Sequence, residues 1–257
     1  MAAEPRGIPT IHPGGTRLPD SMNRTRPKVD GRNVSPKVQA TSTMTVTRVV
    51  RAPIAKTARA TVLFADLRGY TGLAERLAPA SIVPLLDEFF GVLAGATAMH
   101  GGRVFHMAGD GMMAGFGVGD PTSSGARQAL RAGHAMLEDF ARVAARWRRE
   151  LAVEAAVGVG LHLGEVALGS LGPPGRKQTT LVGDTVNVAA RLCSRARAGE
   201  VLLSCTVASA LDSEGAVVGG GTDPHPIPVL QLPQFELRGR SAPLDIWCVP
   251  AADRLAL

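Results

Sequence analysis

Short apolar runs bounded by turn-forming residues recur along this chain and predict β-strands. The first run, Thr61–Phe64, leads through Ala65 to Asp66 and then into a Gly-Tyr-Thr turn. A buried strand that ends at an aspartate places that carboxylate at the edge of a sheet, where a ligand can reach it. Alone, this pattern is a weak signal of function, because a carboxylate at such a position commonly starts a loop or caps the next helix.

A hairpin is predicted soon afterwards, in the segment GGRVFHMAGDGMMAGF. Its strands, Arg103–His106 and Met112–Phe116, flank a Gly-Asp-Gly turn, which is a strong hairpin signal. Asp110 therefore lies at the hairpin tip, between glycines that allow a ligand to approach the backbone closely. Two carboxylates on rigid elements with little bulk around them suit a hard divalent cation, which prefers oxygen ligands.

Apolar residues spaced by three and four positions predict helices between the strands. These helices cover 71–77, 81–100, a long segment from a cap at Ser123 or Ser124 to about Glu150, and 206–211. Further strands are predicted at 153–162, 164–169, 202–204, 229–237 and 244–249. Strands that alternate with helices and hairpins predict an α/β sandwich with a mostly antiparallel sheet.

One more helix is predicted in the segment LVGDTVNVAARL, with Asp184 or Thr185 as its N-cap. Asn187 and Arg191 are four residues apart and therefore share one face of this helix. The small and branched residues between them belong to the packed side. The helix thus presents an amide and a guanidinium together.

Positive charge is concentrated at the start of the chain. The net charge is +6, but residues 1–60 contain eleven Lys and Arg against three Asp and Glu, so the remaining residues sum to −2. Residues 1–45 are rich in Pro, Gly, Arg and Ser and predict a disordered basic tail, followed by a linker or arm at 46–57. A nucleic-acid-binding role is disfavoured because aromatic residues are only 4% and are not interleaved with the cations.

The cellular context follows from the cysteines and the apolar segments. Cys193, Cys205 and Cys248 are odd in number and lack ligand-like spacing, which predicts reduced, mostly buried thiols. No apolar run approaches the roughly 18 to 20 residues that span a membrane. The first residues, MAAEPRGIPT, lack the apolar core of a signal peptide. We therefore expect a cytoplasmic protein with no integral membrane segment.

Five segments together resemble the catalytic domain of class III nucleotidyl cyclases. They are FADLRGYT, GGRVFHMAGDGMMAGF, VGLHLGEVALG, VGDTVNVAARL and FELRGRSAPLDIWCV, in this order and spacing. The resemblance covers residues 58–250, leaves 251–257 as a C-terminal tail, and implies the family's ferredoxin-like fold. One such motif is weak, whereas five in order are specific.

The resemblance implies a site for two Mg²⁺ or Mn²⁺ ions. Asp66 and Asp110 are expected to bridge both ions, with help from the Leu67 carbonyl. Asn187 is expected to orient the ribose, and Arg191 to hold the charged phosphorus centre of the transition state.

Arg238 matches the family's basic residue toward the terminal phosphates, which is usually lysine, and Arg240 is a weaker candidate.

In the family one chain supplies the aspartates and its partner supplies the Asn–Arg helix. The resemblance therefore implies a head-to-tail homodimer with ATP bound between the chains.

Two positions bear on the choice of base. Adenylate cyclases of this family commonly have lysine four residues before the second metal aspartate, where this chain has His106, and Asp or Thr at the position of Thr180. Guanylate cyclases use an acidic residue at the first position. Adenine is therefore favoured, and His106 is the departure from the family pattern.

The sequence thus predicts an adenylate cyclase that converts ATP to cyclic AMP and pyrophosphate. Two alternatives remain open: a catalytically weak cyclase-homology domain that binds nucleotide or dimerises, and a guanylate cyclase. A diguanylate cyclase is disfavoured because its acidic signature loop is missing. The sequence does not indicate what activates the enzyme, because no sensor domain is evident in it.

Overall fold

The computed structural model describes residues 56–120, 122–213, 227–236 and 243–251. The elements in chain order are β1 (Lys56–Arg68), α1 (Tyr70–Arg76), α2 (Pro79–Met99), β2 (Arg103–Ala108), β3 (Gly111–Phe116), α3 (Ala126–Leu151), β4 (Ala156–Leu171), β5 (Gln178–Val182), α4 (Asp184–Arg195), β6 (Glu200–Ser204), α5 (Cys205–Ser213), β7 (Leu230–Phe235) and β8 (Leu244–Val249). The expectations for residues 1–45, most of the linker 46–57, Arg238, Arg240 and 252–257 fall outside the described residues.

One sheet organises these elements. Its strand order is β2-β3-β1-β4-β6-β8-β7, and β5 pairs with β4 beside this path. Among the described strands, β4 and β6 pair in parallel and the other pairs are antiparallel. The predicted α/β class and mostly antiparallel sheet are therefore confirmed.

The alternation along β1 divides the sheet into two faces. Leu63, Ala65 and Leu67 join the large cluster that includes residues of α2 and α3, and we call this side the core face. Ala60 and Val62 join a smaller cluster that includes Ala189 of α4, and we call this side the α4 face. Because successive side chains of a strand point to opposite faces, Asp66 and Arg68 also belong to the α4 face.

The core face is closed by aromatic packing. Phe89 of α2 meets Phe140 of α3 edge-on at 5.2 Å between centroids, and Phe140 meets Trp147 at 5.3 Å. Trp147 is 1% exposed. The three- and four-residue spacing of apolar positions that predicted α3 also places Met136, Phe140 and Trp147 in this core.

The α4 face is shaped by glycines on β4. A Cβ at Gly160 would overlap the backbone nitrogen of Cys193 and lie 2.5 Å from the Ala189 carbonyl, both on α4. A Cβ at Gly164 would lie 2.5 Å from Thr185 Oγ1. The missing side chains therefore let α4 lie directly against the strand.

Several predicted boundaries were wrong. Residues 153–162 and 164–169 were expected to be two strands, but β4 is a single strand of 16 residues. The strand β5 was not predicted at all. The N-caps of α3 and α4 are Gly125 and Gly183, without side-chain capping bonds, rather than the expected Ser123 or Ser124 and Asp184 or Thr185. Thr185 instead donates its hydroxyl to the Glu165 carbonyl at 2.6 Å.

Helix α2 also differs from expectation. By length and composition alone its 21 residues are apolar enough to cross a membrane, although no such segment was predicted. Ile82, Phe89, Leu93 and Ala96 are buried in the protein, so this side of α2 packs in the core.

The cysteines agree with the prediction. All three are free thiols; Cys193 and Cys248 are buried and Cys205 is half-buried. Burial raises the pKa of the Cys193 thiol to about 12, so this thiol stays protonated near neutral pH.

Candidate active site

The two predicted metal carboxylates lie at one end of the β1–β3 pair. Asp66 is opposite Gly111 of β3 on one side and Gly158 of β4 on the other. The Leu67 amide donates to the Asp110 carbonyl at 3.0 Å, which ties the hairpin turn to β1. Gly109 has a φ of 60°, a left-handed conformation that glycine adopts without strain, so the turn can present Asp110.

The electrostatics of Asp66 reflect its neighbours. Burial raises the pKa of the Asp66 carboxyl above its ordinary value, and the charge of Asp110 raises it further. Arg68 opposes both effects without cancelling them. The two carboxylates are therefore close enough to repel each other.

The residues present fit a divalent cation. A cation between Asp66 and Asp110 would relieve their repulsion, and Gly111 brings no side chain into the space beside Asp66 Oδ1. Within the described residues no group of three or more His, Cys, Asp and Glu is assembled to hold a metal, at this place or at any other, so the two carboxylates would be the only side-chain ligands here. Two carboxylates are the protein ligands that Mg²⁺ typically takes when substrate phosphates and water complete its shell.

Arg68 is part of this site, and the sequence reasoning missed it. Its Nη1 donates to Asp66 Oδ2, its Nε donates to the Ala196 carbonyl at 3.0 Å, and its Nη2 donates to the Cys193 carbonyl. A Cβ at Gly158 would lie 2.5 Å from Arg68 Nε, so the guanidinium occupies the space that this glycine leaves open. The only sequence signal was the position, two residues after Asp66 on the same face of a strand.

Helix α4 carries the predicted Asn187 and Arg191. Asn187 is exposed and Arg191 is half-buried. Within the described part of one chain, neither residue forms a hydrogen bond or ion pair with Asp66 or Asp110. The structure therefore brings the two carboxylates together and places the amide and guanidinium on α4 without a direct hydrogen bond or ion pair to them.

The predicted base-contacting residues lie on neighbouring strands. His106 is exposed on β2 and Thr180 is half-buried on β5. Gln178 of β5 links the two strands, because its Nε2 lies 3.4 Å from the Phe105 carbonyl and 3.3 Å from His106 Nδ1. A carbonyl only accepts, so Gln178 Nε2 is the donor, and Nδ1 then accepts and leaves the ring proton on Nε2.

Two other groups behave as structural residues. His162 is 6% exposed and its Nδ1 lies 2.8 Å from Ser204 Oγ, so it is a buried histidine with a hydrogen-bond partner. Near the end of α3, Arg146 pairs with Glu88 of α2 and Arg148 pairs with Glu154 at 2.6 Å, while both arginines keep exposed side chains.

A cavity of about 840 Å³ lies apart from the predicted site residues. It is lined by the start of β1, the segment before α3, and α5, with Arg59 and several hydroxyl groups among its residues. None of the predicted metal, phosphate or base-contacting residues belongs to its lining.

The fold and site together define a nucleotidyl cyclase catalytic domain, and comparison with known proteins agrees. Residues 53–223 match the family model of the Adenylate and Guanylate cyclase catalytic domain. Because that match covers more than half of the chain, the protein belongs to this family. The resemblance that the five sequence segments indicated is thereby confirmed.

Individual relatives include both substrate classes. An adenylate cyclase of Anabaena cylindrica is 32% identical over 138 residues, which are 54% of this chain and 27% of that protein. The crystal structure of the adenylyl cyclase CyaB from P. aeruginosa is similar with a TM-score of 0.67 at 27% identity, covering 77% of this chain and 97% of that chain. The guanylyl cyclase Cya2 is similar with a TM-score of 0.65 at 27% identity, covering 77% and 94%. This chain thus spans about a quarter of the curated relative's length.

Proposed function

We propose that this protein is an adenylate cyclase that acts in the cytoplasm and whose catalytic domain spans residues 58–250. The ribose 3′-hydroxyl of ATP attacks the α-phosphorus, the hydroxyl proton is lost, and pyrophosphate leaves as cyclic AMP forms. The observation that carries the proposal is the close pair of Asp66 and Asp110 at the edge of a cyclase sheet.

The carboxylate pair is assigned to metal binding. Asp66 and Asp110 hold two Mg²⁺ or Mn²⁺ ions, and the Leu67 carbonyl is a further ligand. Bound cations of this kind stabilise the charge on the phosphates and favour deprotonation of the attacking hydroxyl. The chain's own part is to keep the two carboxylates on rigid backbone, which the Leu67–Asp110 hydrogen bond supports.

Helix α4 is assigned to the nucleotide. Asn187 orients the ribose so that its 3′-oxygen faces the phosphorus. Arg191 stabilises the negative charge that develops on the α-phosphate, because a guanidinium remains charged and presents a rigid set of donors. Arg238 contacts the terminal phosphates.

The active site is proposed to form between two chains in a head-to-tail homodimer. One chain supplies Asp66 and Asp110, and its partner supplies Asn187 and Arg191. Among the described residues of one chain, these two groups share no hydrogen bond or ion pair, which is compatible with this arrangement. A monomer then has two incomplete sites, so specific activity must fall when the protein is diluted below its dimer dissociation constant. Specific activity that stays constant on dilution of a chain shown to be monomeric would exclude the shared site.

Adenine is the proposed base. With its proton on Nε2, His106 donates to adenine N1, and the Thr180 hydroxyl accepts from the adenine amino group. The contact from Gln178 to His106 Nδ1 supports this tautomer. A neutral imidazole donates one hydrogen bond, so replacing it changes substrate discrimination by roughly 0.5 to 1.5 kcal/mol.

Guanylate cyclase activity is the second candidate, because Cya2 is as similar in identity as the adenylyl cyclase CyaB. The His106 Nε2 proton can also be donated to guanine O6, which is an acceptor. Neither the exposed His106 nor the half-buried Thr180 provides the acidic group that guanine N1–H prefers. The observations therefore favour ATP over GTP.

The test measures turnover of ATP and GTP separately with Mn²⁺. We expect cyclic AMP as the main product, Asp110→Ala to abolish it, and Asp87→Ala, which removes an exposed carboxylate from α2, to leave it unchanged. His106→Lys is expected to raise the ATP-to-GTP ratio. Undiminished product from Asp110→Ala would refute the metal assignment, while a greater rate with GTP would favour the second candidate. A wild-type chain that binds nucleotide but turns over neither substrate would indicate the catalytically weak domain.

A further inference from the structure

Arg68 connects two groups of one chain, Asp66 and helix α4, that the proposed mechanism assigns to the two different active sites of the dimer. Its guanidinium bonds to the Asp66 carboxylate and to two backbone carbonyls at the C-terminal end of α4. Those carbonyls, of Cys193 and Ala196, belong to the last turn and the C-cap of the helix that carries Asn187 and Arg191. The rigid guanidinium of Arg68 therefore binds the Asp66 carboxylate and the C-terminal end of α4 at the same time.

The helix gains stability from this contact. The last carbonyls of a helix carry partial negative charge, so a cation that donates to them stabilises the end of the helix. The Cys193 carbonyl receives Arg68 in addition to the Ala196 amide at 3.1 Å. Arg68 is half-buried, with 23% of its side chain exposed, and Gly158 leaves room for its guanidinium. Its charge is therefore only partly screened by water.

The hydrogen bond from Arg68 to Asp66 also competes with metal binding at Asp66. Arg68 occupies Asp66 Oδ2, while Oδ1 lies on the side of Gly111 and the hairpin turn. A divalent cation that uses both oxygens of Asp66 must take Oδ2 from the guanidinium. The positive charge of Arg68 also repels a second cation at short range.

We propose that Arg68 is a positioning residue that competes with the metal for Asp66 and thereby couples metal binding to the C-terminal end of α4. The inference rests on the proposed metal role of Asp66 and Asp110. When a cation binds, the guanidinium loses one of its three anchors and holds the end of α4 less firmly. Because coupling between two equilibria is reciprocal, an arginine that weakens metal binding is itself loosened by the metal to the same extent.

The first experiment measures Mn²⁺ binding to the full chain without nucleotide, from the free-ion signal in electron paramagnetic resonance. Arg68→Gln removes the positive charge and is expected to bind Mn²⁺ about tenfold more tightly than wild type. Arg68→Lys keeps the charge without the fork and is expected to stay within about threefold of wild type. A purely structural arginine would not tighten metal binding when removed, so weaker or equal binding by Arg68→Gln overturns the proposal.

The second experiment measures amide hydrogen exchange in residues 192–196. We expect Mn²⁺ to speed exchange there in wild type, and both Arg68 variants to exchange quickly with or without Mn²⁺. Exchange that does not respond to bound Mn²⁺ in wild type would contradict the coupling. Circular dichroism of each variant checks that it is folded, and Arg68→Lys provides a second test if Arg68→Gln is not.

Arg76 offers a matched control. Its Nη1 donates at 3.1 Å to the carbonyl of Ala152, the C-cap of α3, so it also stabilises a helix end. Arg76→Gln is expected to speed exchange at the end of α3 and to leave Mn²⁺ affinity unchanged. If Asp66→Asn and wild type both fail to bind Mn²⁺, the metal assignment itself fails and the coupling fails with it, whereas normal binding that is indifferent to Arg68 refutes the coupling alone.

Discussion

The two faces of the sheet are built from alternate residues of the same strands but serve different purposes. On the core face, Leu63, Ala65 and Leu67 of β1 pack with bulky aromatic residues of α2 and α3. On the α4 face, the glycines of β4 have no side chains, so α4 and the Arg68 guanidinium lie directly against the strand. Asp66 and Arg68 are at the end of β1 on this face. Stability is concentrated on the first side, and the proposed chemistry lies on the second.

The difference teaches how one strand supports both tasks. Close packing on the core face restrains the backbone of β1, and that restraint extends to Asp66 because it lies between buried Ala65 and Leu67. The α4 face can then keep charged groups and the close approach of α4 without loosening the strand. Packing on the core face thus fixes the geometry of the candidate site on the α4 face.

The largest effect is expected on the core face. Trp147→Ala removes a side chain that is 1% exposed and should lower the free energy of unfolding by about 3 to 5 kcal/mol. Denaturant unfolding measures this loss. Activity per folded molecule at low temperature should change little, and a selective loss of activity without a loss of stability would break the proposed division between the faces.

A smaller loss of stability, with a larger loss of activity, is expected from Gly160→Ala. Its new Cβ would press on the backbone of α4 at Cys193 and Ala189, at a cost of about 1 to 3 kcal/mol. Displacement of α4 should lower kcat more than the fall in stability explains. Gly95→Ala in α2, where a Cβ meets nothing within 4 Å, is the control and should stabilise the protein by about 0.5 to 1 kcal/mol. Full activity in Gly160→Ala would show that the space is not needed.

The contact between α2 and α3 gives a pH-dependent prediction for the core face. Partial burial alone raises the pKa of Glu88, but hydrogen bonds from Arg146 and Trp147 outweigh it and hold the pKa below its ordinary value. As pH falls, Glu88 is therefore protonated in the unfolded chain before it is protonated in the folded protein. The stability that the ionised Glu88 contributes is present at neutral pH and is lost as pH falls through the folded-state pKa. Melting temperatures between pH 7 and 3 should fall more steeply for wild type than for Glu88→Gln. If the melting temperatures of wild type and Glu88→Gln fall in parallel with pH, Glu88 does not contribute to the pH dependence of stability.

The smallest effect is expected for the buried thiol of the α4 face. With its pKa raised to about 12, only about one Cys193 in ten thousand is a thiolate at pH 8. Iodoacetamide should therefore label half-buried Cys205 before Cys193, which should react only after unfolding. Mass spectrometry of partly labelled protein measures the order, and early labelling of Cys193 would indicate that α4 leaves the sheet readily.

Local patterns predicted the elements whose signals lie in neighbouring residues. The final strand was predicted at the observed bounds, Leu244–Val249, and the hairpin around Asp110 was predicted within two residues at each strand. The strand β5 was missed because its five residues, QTTLV, are too few to show a clear alternation. The predicted cap of α4 was wrong partly because Thr185 donates its hydroxyl to the Glu165 carbonyl. At α3 the hydroxyls of Ser123 and Ser124 do accept amides at the helix start, but the helix begins one residue later, so Gly125 holds the N-cap position.

The candidate site shows the same division. Asp66, Asp110, Asn187 and Arg191 could be named from motifs and the resemblance that those motifs carry. Arg68 could not, because its role depends on Cys193 and Ala196, which are more than 120 residues away in the chain.

The sequence by itself determined the family, the order of most strands and helices, and the identity of the candidate carboxylates, because periodicity and motifs are properties of adjacent residues. Only the tertiary structure decided which face each residue occupies, why β4 needs its glycines, and that Arg68 bonds to both Asp66 and α4. These features depend on distances between segments far apart in the chain, and such distances are set by packing rather than by local preference.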